Sequence, residues 1–296
     1  MRAVCEEELL SEAISTKQLS KQYGSIWAVR DLNLEVKHGE IFGFLGPNGA
    51  GKTTTIRMLT TLTKPTYGQA WVDGYNVLKE PDKVRKAIGV MQQHLSLDRD
   101  LTVRENMELR ARLHHFRPHE RNKRINELLE YVGLTEHANR PIDTLSGGLQ
   151  RRAMIACALI HQPKILFLDE PTVGLDAHTR RRMWDLIRRL NADGVTIFLT
   201  THYIEEAEAL CHRVGIIHEG SLIALGSPME LRQKVGMYTV VTIVENGNSS
   251  YRYFPDRESA TRYVEMLPPN VKTIIVRESN LEDVFIELTG RGVEEN

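Results

Sequence analysis

The 296 residues carry a formal net charge of −1, with 41% hydrophobic and 26% charged side chains. That length suits one large domain, or one domain with a small appendage, and the composition is that of a globular chain. The near-zero charge excludes a global field for nucleic acid or anionic lipid, and no apolar run approaches the roughly 20 residues that span a bilayer.

Cys5, Cys157 and Cys211 lie far apart and form neither a CxxC nor a zinc spacing, so a reduced, cytosolic chain is expected. The stretch MRAVCEEELLSEAIS is acidic and lacks the apolar core of a signal peptide. If the chain works at a membrane, another chain must do the crossing.

Residues 1–13 read as a charged tail, or in part as a short helix. From Ile14 to Phe44 the pattern favours strands: AVRDLNLEV alternates, KHGE is a turn, and IFGFL is a short apolar run. A helix is expected near Thr53 to Leu62. Thr102 and Glu105 have capping-box spacing ahead of NMELRARLHHF. A second helix, about Pro118 to Val132, places Ile125, Leu128, Leu129 and Val132 on one face. Then come strand ILFLD (165–169), a helix over 179–190, strand VTIFLTT (195–201), a helix over 203–211 and a hairpin over 214–226 that turns at Glu219-Gly220. Strands alternating with helices imply a parallel α/β sheet with both faces covered.

After Gly226 the character changes. Ser227-Pro228-Met229-Glu230 is a helix start, YTVVTIV (238–244) a strand and ENGNSS a turn. A helix near Asp256–Leu267, a strand over 271–276 and a helix over 281–290 complete a small α+β module, residues 227–296.

GPNGAGKT, Gly46 to Thr53, fits G-x-x-x-x-G-K-[ST] and sits between an apolar strand and a helix pattern, the context the motif demands. Glycines at Gly46, Gly49 and Gly51, with Asn48 between them, allow turns that aim N–H groups at phosphate oxygens, and the helix dipole adds to this. Lys52 should bridge the β and γ phosphates of ATP. Thr53 should ligate Mg²⁺, and Thr54 should stand near the α phosphate. ILFLDEP is an apolar strand ending in two acids. Asp169 can hold Mg²⁺ or order its water, and Glu170, one residue on, can polarise an attacking water. Adjacent acids in a loop are more often simply solvated; the phosphate loop tips the reading toward function. His202 closes the strand VTIFLTT, where it could hold the γ phosphate. Most histidines do no such thing, and the other ten show no metal spacing. A lone glutamine such as Gln93 is ordinarily a surface residue. Tyr23 is either a turn aromatic or a platform for an adenine ring. Met154 and Cys157 read as core. LSGGLQRR (145–152) adds a second glycine-rich helix start, about a hundred residues past the phosphate loop.

Taken in order, Tyr23, GPNGAGKT, Gln93, LSGG, ILFLDEP, GLD (174–176) and His202 resemble the nucleotide-binding subunit of an ATP-binding cassette (ABC) transporter over about residues 14–225. The resemblance implies a P-loop NTPase α/β core over 14–226, with an N-terminal antiparallel β subdomain and a helical subdomain at about 95–160. Tyr23 then matches the adenine-stacking aromatic. Gln93 matches the glutamine that senses Mg²⁺ and begins the segment facing the membrane subunit. Ser146, Gly147 and Gly148 match the signature motif, Glu170 the catalytic base, His202 the switch histidine and Asp176 the acid linking two sites. The fifth signature position, often glutamine, is Leu149 here, with Gln150 after it. That variant, its basic flank and the closing LEDVFIELTG resemble the ABC-2 type, drug-resistance exporter branch.

By this resemblance two copies pair head to tail, each signature closing on the γ phosphate held by the other. A homodimer, a separate transmembrane permease subunit and a peripheral place on the cytoplasmic side of the membrane are implied, with no nucleic acid partner. The alternative, a soluble ABC ATPase of translation or DNA repair, usually carries two cassettes or a long coiled-coil arm, and neither is present. A GTPase would need an N-K-x-D element, which is absent, and LSGG has no place in a small-molecule kinase.

Overall fold

The computed structural model describes residues 12–244, 249–268 and 271–290. The expected 1–13 tail lies outside these residues except at its end. Glu12 and Ala13 open the first strand instead, because the Ala13 side chain is fully buried and its carbonyl accepts from Asp73 N.

Period-two patterning builds the first layer. Strands β1 (Glu12–Tyr23) and β2 (Ile26–Lys37) form an antiparallel hairpin in which Val29, Leu32, Leu34 and Val36 face inward and their charged neighbours face water. After a turn, β3 (Ile41–Leu45) is buried on both faces. Helix α1 follows the phosphate loop over Lys52–Leu59. It ends earlier than expected because Thr61 turns into the left-handed region at φ +64°.

The stretch after α1, for which the sequence suggested no elements, holds β4 (Tyr67–Val72), β5 (Tyr75–Asn76), α2 (Pro81–Ala87) and β6 (Ile88–Met91). Strands β4 and β5 complete a four-stranded antiparallel sheet of order β2-β1-β4-β5.

Three helices make a separate block: α3 (Val103–Leu113), α4 (Pro118–Tyr131) and α5 (Gly147–Ala158). The Thr102–Glu105 capping box forms as the spacing predicts. Ile125, Leu128, Leu129 and Val132 are buried together with Met107 and Ala111 of α3 and Ile155 of α5.

The chain then alternates through β7 (Ile165–Asp169), α6 (Ala177–Ala192), β8 (Thr196–Thr201), α7 (Ile204–Leu210), β9 (Arg213–His218) and β10 (Ser221–Gly226). The central sheet has the order β10-β9-β3-β8-β7-β6. It is parallel except for the β9–β10 hairpin. One face sets Phe42, Phe44, Phe167 and Phe198 against Leu19, Leu32 and Val72 of the antiparallel sheet. The other sets Leu45, Leu166, Leu168 and Leu199 against the helices. The phenylalanine rings stack or tilt at centroid separations of 5.5–5.8 Å. Such packing stabilises by about 2–3 kcal/mol for each fully buried ring.

The C-terminal module comprises α8 (Pro228–Val235), β11 (Tyr238–Val244), β12 (Ser249–Phe254), α9 (Arg257–Glu265), β13 (Val271–Glu278) and α10 (Leu281–Thr289). Its sheet is antiparallel, ordered β12-β11-β13. Of the expected ENGNSS turn, residues 245–248 lie outside the described residues. Ser249 and Ser250 are paired strand residues opposite Ile243 and Thr242. Polar SSYRYF carries no apolar alternation, which is why the strand was missed. Helix α10 turns Leu281, Val284 and Phe285 into the main core, with Phe285 edge-on to His218 at 5.5 Å. The result is the P-loop α/β fold expected, with a β subdomain, a helical block and a small α+β appendage.

Candidate active site

Residues 46–52 wrap the space between β3 and α1. The β9–β10 turn braces this loop, since Gly220 N donates to Ala50 O at 3.1 Å and Gly220 O accepts from Arg30 N at 2.8 Å. Gly51 has φ +108°, and a Cβ there would sit 2.3 Å from Ala28 O, so only glycine fits. Lys52 follows at the helix start, 5% exposed, donating to Gly46 O at 2.7 Å and Pro47 O at 3.0 Å. A cavity of about 380 Å³ opens over the loop, lined by Ala28, Asn48, Gly49, Gly51, Lys52, Thr53, Thr54, Gln93 and Glu170.

Strands β7 and β8 deliver the acids. Asp169 ends β7, where its Oδ1 accepts from Thr200 Oγ1 at 2.6 Å and from Thr53 Oγ1 at 3.3 Å. Burial raises its pKa, and these two hydrogen bonds oppose the rise only in part. Glu170 takes φ +50°, uncommon for a side chain of this kind, and its N–H is held by Thr200 O at 3.2 Å and Thr200 Oγ1 at 3.1 Å. Around its carboxylate three groups converge: Lys52 Nζ at 3.4 Å, His202 Nδ1 at 3.3 Å and Gln93 Nε2 at 3.1 Å. Burial alone would raise the Glu170 pKa, but the His202 hydrogen bond and the Lys52 charge together hold it below the ordinary value. Burial likewise draws the Lys52 pKa down, with Glu170 countering it.

Lys52, Thr53, Gln93, Asp169, Glu170 and His202 are thus brought into one bonded network. Tyr23, Asp176 and Ser146 to Gly148 are not among the residues lining the loop cavity. Tyr23 stands 48% exposed at the tip of the β1–β2 hairpin, with Lys21 Nζ 4.8 Å from its ring centroid. Ser146 is exposed at the N-terminus of α5, and its hydroxyl makes no capping bond to that helix. Gly148 lies against α6, where a Cβ would meet Thr179 Cγ2 at 2.3 Å. Asp176 caps α6, accepting from His178 N, Thr179 N and Thr179 Oγ1 at 3.0, 2.9 and 2.6 Å. Leu149 packs against the helical core, and Gln150 Nε2 holds the Ile142 and Leu145 carbonyls at 3.0 and 3.2 Å, bracing the loop before Ser146.

Three residues escaped the sequence reading. Thr200 binds both Asp169 and the Glu170 backbone; its signal was a hydroxyl two residues before His202 at a strand tip. Glu206 is fully buried, accepting from Thr172 Oγ1 at 2.8 Å and Trp184 Nε1 at 3.1 Å. Arg151 of α5 donates to Gln93 O at 2.6 Å, a tertiary contact that no local pattern announces.

A phosphate loop at a strand–helix junction, with buried acids at the tip of a strand one removed in the same sheet, defines a P-loop nucleoside triphosphatase. The ABC transporter family profile matches residues 29–173. Over 306 residues the chain is 36% identical to the linearmycin resistance ATP-binding protein LnrL of Bacillus subtilis, covering 94% of this chain and 98% of that one. It is 37% identical to the daunorubicin/doxorubicin resistance ATP-binding protein DrrA of Streptomyces peucetius, with 95% and 93% covered. It is 39% identical to the Nod factor export ATP-binding protein I of Rhizobium leguminosarum bv. viciae, with 95% and 96% covered. Among solved structures, the dimeric post-hydrolysis state of the ATP-binding cassette MJ0796, bound to ADP and Pi, superposes with a TM-score of 0.66 at 33% identity, covering 72% of this chain and 98% of that one. The structure of cbiO1 from Clostridium perfringens, part of the ABC transporter complex cbiONQ, gives 0.70 at 29% identity, with 75% and 90% covered.

The chain belongs to the ABC transporter ATP-binding proteins and is an ATPase, close to ATP-binding subunits of the drug-resistance and Nod factor export kind. Among the described residues, no helix is long and apolar enough to cross a membrane.

Proposed function

We propose that this chain powers an ABC-2 type exporter from the cytoplasmic face of the membrane. It does so as a head-to-tail homodimer docked on a separate transmembrane chain. The organisation follows the fold: a cassette over 14–226 and an appended module over 227–296. Thr53 and Asp169 present oxygen donors of the kind Mg²⁺ takes, with Gln93 beside them. When bound, Mg²⁺ neutralises phosphate charge. Lys52 and the loop N–H groups hold the phosphates, Thr54 contributes beside the α phosphate, and Tyr23 stacks on the adenine. Glu170 orients and polarises the attacking water, and its lowered pKa keeps it an acceptor at neutral pH. His202 holds the γ phosphate. Ser146, Gly147 and Gly148 serve the partner copy's nucleotide, and Asp176 links the two sites.

One observation carries this reading. Lys52, Thr53, Gln93, Asp169 and His202 join Glu170 in one bonded network, whereas the Ser146 hydroxyl is exposed, uncapped and outside it. A separate cavity of about 300 Å³, lined in part by Leu62, Gln92, Leu97 and Arg110, adjoins Gln93 and suits a segment of the membrane chain. The experiment is complementation: mixing Lys52→Ala with Ser146→Glu protein leaves one intact composite site in each heterodimer. Activity clearly above either variant alone supports trans action. Activity equal to theirs in verified heterodimers overturns it.

A further inference from the structure

Arg151 lies on α5, five residues beyond Ser146, and is not among the residues lining the loop cavity. Its guanidinium donates to Gln93 O at 2.6 Å and to Gln92 O at 3.4 Å. Among the described residues no carboxylate lies within ion-pair distance of Arg151; partial burial works against its charge, and Glu170 and Asp169 favour it. A half-buried charged donor on Gln93 O holds that carbonyl, since charge-assisted hydrogen bonds are the strong ones, and the longer, exposed bond to Gln92 O adds to it. The residue so fixed is the one whose side chain donates to Glu170 Oε2 at 3.1 Å. The contacts therefore run without a gap from the signature helix, through Arg151 and Gln93, to the carboxylate beside Lys52.

We propose that Arg151 is a positioning residue that ties the signature helix to the Gln93–Glu170 pair of its own subunit. The general base is thus aligned only when that helix is seated. The link rests on the reading of Glu170 as the base and of Ser146 as acting on the partner's nucleotide. Under that reading, seating of α5 on one nucleotide aligns the base at the other, and each subunit carries the coupling between the two sites. Both bonds leave one terminal nitrogen, Nη1, which bridges the two adjacent carbonyls, and the permanent charge of the guanidinium strengthens them.

The test is a double-mutant cycle on ATPase kinetics. Arg151→Met should lower kcat about tenfold while ATP KM changes less than about twofold, because the bond aligns the base rather than holding ATP. In a Gln93→Ala background the same substitution should cost little more, since its target is already gone. Arg151→Lys should recover part of kcat, which also answers whether loss in the methionine variant is mere misfolding. Equal, additive losses in both backgrounds would overturn the proposal, as would a raised KM with kcat kept. A separate measurement guards the parent reading: Arg151→Met combined with Glu170→Gln should still dimerise on ATP. If Glu170→Gln alone fails to dimerise, the trans reading falls while the Arg151–Gln93 cycle still stands on its own result.

Discussion

Gly148→Ala tests the contact between the signature helix and α6. The added Cβ would sit 2.3 Å from Thr179 Cγ2, where carbon atoms normally rest about 3.5–4.0 Å apart. Thr179 has little freedom to rotate away, because its Oγ1 donates to Asp176 Oδ2 at 2.6 Å and its N–H to Asp176 Oδ1 at 2.9 Å. Either that hydroxyl bond breaks or α5 and α6 move apart. Overpacking of this kind costs about 1–3 kcal/mol. At about 2–4 °C per kcal/mol for a chain of this size, the melting temperature should fall by roughly 2–12 °C. Thr179→Ser deletes the clashing methyl and keeps the hydroxyl, at a cost of under about 1 kcal/mol on its own. The assay is thermal unfolding without nucleotide, so that any role of Gly148 at a phosphate does not enter. The double variant should regain most of the lost stability. A Gly148→Ala protein that melts like the wild type, or a loss that Thr179→Ser leaves untouched, would refute the reasoning.

Glu170→Gln should bind ATP, hydrolyse it at least about a hundredfold more slowly and collect as a dimer; size-exclusion chromatography with ATP reads the outcome. Wild-type turnover would exclude Glu170 as the base. The stability that the ionised Glu170 contributes should be complete above its ordinary value of 4.5 and lost as pH falls through its lowered folded value. Asp169, raised by burial, acts in the opposite sense, so urea midpoints of wild type and Glu170→Gln should converge on acidification below that value. Glu206→Ala strips Thr172 Oγ1 and Trp184 Nε1 of their buried acceptor and should cost about 1–3 kcal/mol. An unchanged urea midpoint would count against Glu206 as the anchor of that corner.

What could be read from the sequence follows the range of the physics involved. The phosphate loop is nearly all backbone geometry over eight residues, so its glycines and Lys52 declare it locally. Likewise ILFLD and VTIFLTT declare buried parallel strands, since both faces must be apolar. The β4–β5 ribbon declared little: in YGQAWV only Ala70 and Val72 are fully buried, and Gly68 interrupts the pattern. The β12 strand failed for the same reason, being polar and at a sheet edge. At the site, the residues missed, Arg151 and Thr200, stand in no motif and act only through contacts made across long stretches of chain. Arg151 meets Gln93 across 58 positions and Thr200 meets Asp169 across 31, and no periodicity links either pair.

The resting arrangement around Lys52 bears on how such a site would accept its nucleotide. The lysine rests on Glu170 and on the carbonyls of Gly46 and Pro47. Both ion-pair partners are about 5% exposed, so water does little to screen them, and an unpartnered charge there would be costly. Glu170 therefore occupies the ammonium that a γ phosphate would claim. Under the proposed reading, binding would exchange one anion for another on the same cation, so that Lys52 keeps a partner throughout. Departure of the lysine would remove one of the two contacts on Glu170 Oε1, the other being His202 Nδ1. His202 and Gln93 remain on the carboxylate to aim it. Under the proposed reading of Glu170 as the base, a single acid would both partner the buried lysine and hold the attacking water, from a backbone in the left-handed region at φ +50°.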